Sequence, residues 1–322
     1  RVYGYNNIEF SPKLNMSISA NDFDEVKINN LISNQLVSLG FYETMANSLT
    51  KESYVSLSES LKKEHNIEIL NPLSSDLGVM RQSLLFSGLE SVVYNINRKR
   101  TSLKFFEFGK TYHQFENGKS EQKHVTLFVS GTANKERWNA VSKNSNFFYL
   151  KGIITTILSR LGINNVKPTP TKNDIFSEGL TLSLGKTKLV DLGVVKKHIL
   201  KEFGIKQEVL FADFNWENVL KLVGSSTIKI KLLPKYPSVK RDFALLLDKK
   251  VTFNEIYNLA YQAERNLLKE VDLFDVYDGD KLPEGKKSYA VSFILQDENK
   301  TLNDKQIDKI MERFKQTFEK NV

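Results

Sequence analysis

The sequence predicts an α+β protein of two domains, and three observations support this prediction. Segments with the 3.6-residue period of a helix recur along the 322 residues, with β-rich runs between them. Residues 221–237 contain Gly224-Ser-Ser-Thr227 and two prolines, so this stretch is the best domain boundary. Beyond it the elements follow the order β-α-β-β-α, which is a ferredoxin-like fold without its last strand.

The predicted elements of the first domain follow from periodicity and from helix stop signals. Val26, Ile28 and Ile32 lie at helical spacing in residues 25–39, Asn21 or Asp22 is expected to cap that helix, and Gly40 ends it. Residues 9–23 are polar and mixed, which is typical of a linker. Further helices are predicted at residues 51–65, 76–97, 147–161 and 197–203. Strands are predicted at residues 41–50, 67–70, 103–112 and 123–131, in short pieces between 174 and 195, and at 209–215.

The second domain has a simpler pattern. Strands are predicted at residues 241–247, 271–277 and 287–295, and helices at residues 253–268 and 303–318. We expect the final strand of the ferredoxin-like fold beyond Val322.

Composition excludes several classes of protein. No stretch of about 18 apolar residues exists to span a membrane, and the first residues lack the basic start and apolar run expected of a signal peptide. The chain has no cysteine and only four scattered histidines, which argues against disulfides and a dedicated metal site and favours the cytoplasm. The net charge is +8, and the excess lies in residues 1–233, with 30 basic and 22 acidic residues, whereas residues 234–322 hold 16 of each.

Catalytic motifs are missing from the sequence. It has no phosphate-binding G-x-x-x-x-G-K-[ST], no G-x-G-x-x-G, no G-x-S-x-G and no H-E-x-x-H. We interpret Arg81 as half of a structural ion pair and place Glu107 on the polar face of its strand. The basic cluster Arg98-Lys-Arg100 with Lys104 either complements a helix dipole or contacts an RNA backbone.

A candidate RNA-binding face lies in the second domain. Open faces of ferredoxin-like sheets bind RNA when exposed aromatic side chains stack on bases. The aromatic candidates are Tyr236, Tyr277 and Tyr289, with the alternative that aromatic side chains on these strands fill the core. Phosphate contacts are expected from five basic residues, Lys235, Lys240, Arg241, Lys286 and Lys287.

Several blocks of sequence resemble the C-terminal part of the bacterial phenylalanyl-tRNA synthetase beta subunit. They agree with that family in order and spacing and together account for nearly the whole chain. The blocks are Arg1-Val-Tyr-Gly-Tyr-Asn-Asn-Ile8, Asn71-Pro-Leu-Ser-Ser75, Met80-Arg81, Ser83-Leu84-Leu85, Phe106-Glu-Phe-Gly109, Lys235-Tyr-Pro-Ser-Val-Lys-Arg-Asp242, Phe274-Asp-Val-Tyr277, Gly285-Lys-Lys-Ser288 and Lys300-Thr-Leu302.

The resemblance implies three parts of the chain. Residues 1–10 would be the tail of a preceding domain, residues 11–228 a class II synthetase-like antiparallel-sheet core, and residues 229–322 a ferredoxin-like anticodon-binding domain without its last strand. A working class II core carries an Arg-x-Glu whose arginine holds the ATP α-phosphate, and a later Gly-x-Gly-x-x-Arg. Here the strand continues as Gly109-Lys-Thr-Tyr-His113, without an Arg-x-Glu, and the Gly-x-Gly-x-x-Arg motif is missing as well. We therefore expect a non-catalytic scaffold.

The resemblance also implies residue roles and partners. In that family an Asp in the Phe-Asp-x-Tyr strand and a Ser in the next strand recognise the first anticodon base, and these positions match Asp275 and Ser288. The implied partners are a catalytic alpha subunit in an α2β2 assembly and phenylalanine tRNA, in the cytoplasm. No cofactor is expected on this chain, whereas the full ligase would use ATP and Mg²⁺. A free-standing RNA-binding protein is the alternative.

Overall fold

Two units of structure divide the chain, Arg1–Ile228 and Lys229–Val322, hereafter the first and second units. The computed structural model describes residues 2–9, 13, 16, 24–134, 136–225, 232–280 and 282–322. The expected linker at residues 9–23 lies almost wholly outside these ranges. Among the described helices, none offers an apolar stretch long enough to cross a bilayer.

The first unit is built on one large sheet. Its helices are α1 (Glu25–Ser38), α2 (Leu85–Ile96), α3 (Phe147–Arg160), α4 (Lys197–Glu202) and α5 (Trp216–Ser225). Its strands are β1 (Tyr42–Glu43), β2 (Leu49–Thr50), β3 (Val79–Met80), β4 (Leu103–Phe115), β5 (Gly118–Ser130), β6 (Lys167–Pro170), β7 (Phe176–Leu184), β8 (Thr187–Val195) and β9 (Val209–Asn215). Seven strands form the sheet in the order β1-β4-β5-β9-β8-β7-β6, in which only the β1–β4 pair is parallel.

Helices cover both faces of this sheet. Helices α1, α3 and α5 bury residues such as Ile32, Ile154 and Trp216 against one face. Helices α2 and α4 bury Leu89 and Ile199 against the other. Because neither face is left to solvent, alternate side chains of a central strand such as β4 are buried in one core or the other.

The helical periodicity of α1 and α3 predicted both helices, and these predictions are confirmed. Asp24 caps α1 by accepting a hydrogen bond from the Lys27 amide at 3.0 Å, so the expected capping residues were wrong; Asn21 and Asp22 lie outside the described residues. Gly40 has a φ of 83°, the left-handed conformation that suits a glycine after a helix end.

The predicted helix at residues 76–97 was wrong in its first half. The helix begins at Leu85, because Val79 and Met80 form β3 and pair with Thr50 and Leu49 of β2. The Arg81 amide then donates to the Ser48 carbonyl at 2.8 Å. A pairing with residues about 30 positions earlier therefore overrides the local helical spacing.

Other local predictions were also partly wrong. The strand expected at residues 41–50 is two short strands, β1 and β2, and the helix expected at residues 51–65 is two 3-10 turns, Glu52–Leu57 and Lys63–His65. The run at residues 67–70 makes only an isolated bridge, between Glu68 and Val79. Helix α5 and strand β6 were not predicted, and α5 extends into the segment expected to separate the domains.

The second unit contains a three-stranded sheet and two helices. Its elements are β10 (Val239–Asp248), α6 (Phe253–Ala263), β11 (Leu268–Tyr277), β12 (Lys286–Leu295) and α7 (Asp304–Asn321). The sheet order is β10-β12-β11 and both pairings are antiparallel. This confirms the predicted β-α-β-β-α order and, with the first unit, the α+β class.

Both helices of the second unit begin at capping boxes. Thr252 and Glu255 at α6, and Asn303 and Gln306 at α7, each exchange side-chain and backbone hydrogen bonds. Helix α6 ends at Ala263, five residues earlier than predicted, since Leu268 already belongs to β11.

Candidate nucleic-acid interface

Helices α6 and α7 cover only one face of the second sheet. Val291, Phe293 and Leu295 of β12 point into the core between the sheet and the helices. Because side chains of a strand alternate between faces, the positions between them point to the opposite face. We call that opposite side the open face, since none of the described residues of helices α6 and α7 packs there as part of the core.

Asp275, Tyr277 and Ser288 meet on the open face. Tyr277 and Ser288 are register partners, and Asp275 pairs with Ala290, two positions along β12. Cross-strand partners of this kind are about 5 Å apart at Cα, and diagonal ones about 7–8 Å. On its other side Ser288 faces Leu246 of β10. A single flat ligand therefore reaches a carboxylate, a hydroxyl and a phenol ring at once.

Asp275 and Ser288 are free to bind a ligand. Asp275 and Tyr277 are exposed, and Ser288 is half-buried. Among the described residues neither the Asp275 carboxylate nor the Ser288 hydroxyl has a hydrogen-bond or ion-pair partner, unlike Asp242, Asp248 and Asp278 of the same unit, which all pair with lysines.

A β-bulge in β11 adds Phe274 to the open face. The register shifts between Leu273 and Asp275, so Phe274 is an extra residue without a partner on β12. Phe274 is 52% exposed, and the Lys240 ammonium lies 5.3 Å from the centroid of its ring. Sequence reasoning missed Phe274, since nothing in the local pattern marks a bulge.

Gly279 was also missed by sequence reasoning. The Tyr277 ring lies directly against this glycine. A Cβ added at Gly279 would lie 2.6 Å from the phenol carbon and the hydroxyl oxygen of Tyr277. Any larger residue at position 279 therefore displaces the ring. The signal available in the sequence was a glycine two residues after the candidate tyrosine.

Four of the five basic candidates lie on strands and divide between the two faces, whereas Lys235 precedes β10. Lys240 and Lys286 lie on the open face, where the Lys286 ammonium contacts Asp248 at 2.7 Å. Arg241 shares the helix-covered face with its register partner Phe293 and lies 3.8 Å from Asp304.

Lys287 also lies on the helix-covered side. Its ammonium donates to the Lys249 carbonyl at 2.9 Å and lies 4.6 Å from the centroid of the Tyr289 ring. Tyr289 is buried, so the alternative that aromatic residues fill the core holds for this residue. Tyr277, in contrast, is 42% exposed and lies on the open face, as the RNA-binding interpretation expects.

A buried ion pair occupies the first unit beneath α2. An Arg81 guanidinium nitrogen lies 2.7 Å from the Glu107 carboxylate, and both side chains are 4% exposed or less. The Arg81 Nε also donates to the Lys110 carbonyl at 3.0 Å. The structural interpretation of Arg81 is confirmed, whereas the polar-face placement of Glu107 was wrong because both faces of the sheet are covered. Burial raises the pKa of Glu107, and Arg81 opposes that rise.

Buried Thr111 and the partly buried His124 and Asp213 form a second polar row in the first unit. The Thr111 hydroxyl lies 3.1 Å from His124 Nε2, and His124 Nδ1 lies 2.7 Å from Asp213. The geometry resembles a nucleophile–base–acid triad, but Thr111 is only 2% exposed, so a substrate cannot reach its hydroxyl. Burial lowers the pKa of His124, but the charge and hydrogen bond of Asp213 outweigh burial, and the pKa is raised.

Two family matches cover most of the chain. Residues 11–216 match the family described as phenylalanyl tRNA synthetase beta chain CLM domain, and residues 234–322 match the ferredoxin-fold anticodon binding domain. The second match agrees with the observed sheet of the second unit and confirms its ferredoxin-like fold.

Similar proteins carry a consistent name. Phenylalanine–tRNA ligase beta subunits of Bacteroides thetaiotaomicron and Porphyromonas gingivalis are 45% and 38% identical over 99% and 100% of this chain. The chain spans 41% of the length of each. Among solved structures, a pyrrolysyl tRNA synthetase of Desulfitobacterium hafniense aligns with 62% of this chain and 69% of its own, at 13% identity and a TM-score of 0.49.

Proposed function

Because the chain belongs to the phenylalanyl-tRNA synthetase beta chain family, we propose that it forms a non-catalytic part of a phenylalanine–tRNA ligase and binds the anticodon stem-loop of phenylalanine tRNA. The observation that supports this most directly is the open face of the second unit. There Asp275, Tyr277 and Ser288 lie together, and the carboxylate and hydroxyl have no partner among the described residues.

The chemistry of these three side chains suits one guanine base. A carboxylate accepts hydrogen bonds from guanine N1–H and N2–H, and a serine hydroxyl donates or accepts at a neighbouring edge atom. The exposed Tyr277 ring supplies a surface on which a base stacks. We therefore assign recognition of the first anticodon base to Asp275 and Ser288, with Tyr277 as the stacking partner.

Phosphate contacts on this face are assigned to Lys240 and Lys286. Both lie on the side that carries the base-recognition residues, although Lys286 must first leave Asp248. Arg241 and Lys287 were candidates as well, but the strand register directs both toward the helix-covered side. We therefore give them no part in contacting the anticodon loop at this face.

The first unit is proposed to support a catalytic alpha subunit. ATP and Mg²⁺ would serve the full ligase, and we place the amino-acid activation chemistry on the alpha chain. Within the described ranges, no three acidic or histidine side chains are grouped to hold a metal ion. The assembly we propose is α2β2, in the cytoplasm.

The alternative of a free-standing RNA-binding protein has no support in the family matches. Co-expression with an alpha chain separates the two hypotheses, since a stable complex on size-exclusion chromatography is expected only of a ligase subunit. Amino-acid-dependent exchange of pyrophosphate into ATP by this chain alone would contradict its non-catalytic role.

The anticodon assignment is tested by replacing Asp275 with alanine in the full beta subunit bound to its alpha chain. Removing the carboxylate should reduce discrimination between phenylalanine tRNA and a variant with another first anticodon base by about 1–3 kcal/mol. Ser288→Ala should act in the same direction. The assay is aminoacylation kinetics with both tRNAs.

Asp272→Ala is the matched control. Asp272 is an exposed acid on the same strand, and it faces Ser292 on the open face, away from the Ser288 row. It should leave discrimination unchanged. If Asp275→Ala and Asp272→Ala behave alike, Asp275 does not recognise the base.

A further inference from the structure

A basic groove lies at the edge of the large sheet in the first unit. It has a volume of about 840 Å³ and lies between the chain that follows α2, the start of β4 and the loop after β5. Three cations, Lys99, Arg100 and Lys104, line it, and no acidic side chain does. We call this feature the basic groove.

The basic cluster at its wall was expected either to complement the dipole of α2 or to contact an RNA backbone, and Arg98 does the former. The Arg98 guanidinium donates to the Tyr94 carbonyl in the last turn at 2.9 Å and stacks 3.4 Å from the Tyr94 ring. Lys99 and Arg100 make no such contact, and neither has an ion-pair or side-chain hydrogen-bond partner among the described residues. The helix dipole therefore accounts for Arg98 and leaves the other two cations unexplained.

Lys104 is held in place without being neutralised. Its ammonium donates to the Tyr149 hydroxyl at 2.6 Å and to the Leu39 carbonyl at 3.3 Å. Five other lysines of the first unit do pair with carboxylates, namely Lys51, Lys63, Lys110, Lys123 and Lys188. The groove thus brings together three cations that have no carboxylate partner among the described residues.

The other groups of the groove suit a nucleic-acid backbone. Thr101, Ser102 and Thr132 add hydroxyls, and hydroxyl and amide side chains accompany lysine and arginine in contacts to phosphate oxygens. The loop that starts at Thr132 carries Trp138 at a tight turn closed by two hydrogen bonds between Arg137 and Ala140. Trp138 is 99% exposed, so its ring is available for base stacking.

We propose that the basic groove is a second RNA-binding site, which holds the phosphodiester backbone and is separate from the anticodon-recognising face. Lys99 and Arg100 contact phosphates, Lys104 is a fixed cation on the groove wall, and Trp138 stacks on a base next to the bound strand. This proposal depends on the proposed function in one respect, which is the choice of phenylalanine tRNA as the RNA to be tested. Its contacts are to the backbone, so it does not depend on the anticodon sequence.

The backbone of Lys99 allows an unusually clean test. Lys99 has a φ of 64°, the left-handed conformation that glycine adopts without strain and other residues adopt at a cost. Lys99→Gly therefore removes a cation and relieves strain at once. A purely structural role predicts that this variant melts at the same or a higher temperature and binds RNA as before, whereas a phosphate contact predicts higher stability with weaker binding.

The experiment titrates the 322-residue chain with phenylalanine tRNA at several salt concentrations and follows quenching of Trp138 fluorescence. Lys99→Gly and Arg100→Ala should each weaken binding and lower the slope of log affinity against log salt by about 0.7–0.9. Trp138→Ala, followed by filter binding, should weaken binding without changing the slope. The control is Lys186→Ala. Lys186 is an exposed lysine in the turn between β7 and β8, several strands away from β4 in the sheet, so its replacement should change neither the affinity nor the salt slope.

Two outcomes overturn the proposal. One is an unchanged salt slope in both cation variants. The other is weaker association with the alpha chain while RNA affinity stays the same, which would assign the groove to a protein partner. Failure here is distinguishable from failure at the anticodon face: groove variants should lose the same factor on wild-type and anticodon-mutated tRNA, whereas Asp275→Ala alters only the ratio between them.

Discussion

Replacing Glu107 by leucine removes the acidic half of the buried ion pair in the first unit. Arg81 would keep its guanidinium charge in the core, with the Lys110 carbonyl as its remaining hydrogen-bond acceptor. Breaking a buried pair by removing one partner costs about 3–5 kcal/mol, since it leaves an uncompensated charge. We expect a loss of unfolding free energy in that range.

The double variant Arg81→Met with Glu107→Leu should recover most of the loss. Replacing both members of a buried pair by apolar side chains of similar volume is often neutral or stabilising by about 1–4 kcal/mol. Space is limited, because a Cβ added at the neighbouring Gly109 would lie 2.4 Å from an Arg81 nitrogen, so methionine suits the site better than a branched residue. The two single variants and the double variant form a cycle that measures the coupling.

Trp216 makes this measurement specific to the first unit. The chain has two tryptophans, Trp138, which is exposed, and Trp216, which is 1% exposed in the core of the large sheet. Urea unfolding followed by Trp216 emission therefore reports the first unit without contributions from the second. A loss below about 1 kcal/mol for Glu107→Leu would mean that the pair is not buried as described.

Two further perturbations test single contacts. Because Asp213 raises the pKa of His124, the protonated pair stabilises the fold fully below pH about 6.5 and this stabilisation disappears as the pH rises through the raised pKa. His124→Gln should flatten the pH dependence of unfolding in that window; an unchanged profile would contradict the pairing. Gly279→Ala should displace the Tyr277 ring and weaken tRNA binding to the extent expected of Tyr277→Ala, with unchanged thermal stability, and wild-type affinity would refute this.

Local sequence predicted the elements whose pattern is set by one buried face. Helix α7 buries Ile307, Ile310, Phe314 and Phe318 at helical spacing, and it was found within three residues of its ends. The helix predicted for the segment before α2 was wrong because β3 forms there by pairing with β2, which no local periodicity reveals. The predicted placement of Glu107 on a polar face was wrong for a related reason, since the faces of a strand are covered by helices far away in the chain.

The candidate site was predictable in type and less so in detail. Alternation along β11 places Asp275 and Tyr277 on one face, and the family resemblance pointed to Asp275 and Ser288. Alternation also predicts that Lys240 and Arg241 point to opposite faces of the sheet, since they are neighbours on one strand. The bulge at Phe274 depends on pairing with β12 and is visible only in the fold.

The distribution of charge implies different physics at the two proposed RNA contacts. Residues 234–322 hold equal numbers of basic and acidic residues, and on the open face Lys286 is offset by Asp248. Affinity there must come mainly from base contacts, which salt screens weakly because they are short and partly desolvated. The excess of +8 lies in residues 1–233, where the basic groove holds cations without carboxylate partners among the described residues. The two proposals therefore assign attraction to RNA over longer distances to the first unit and anticodon selectivity to the second.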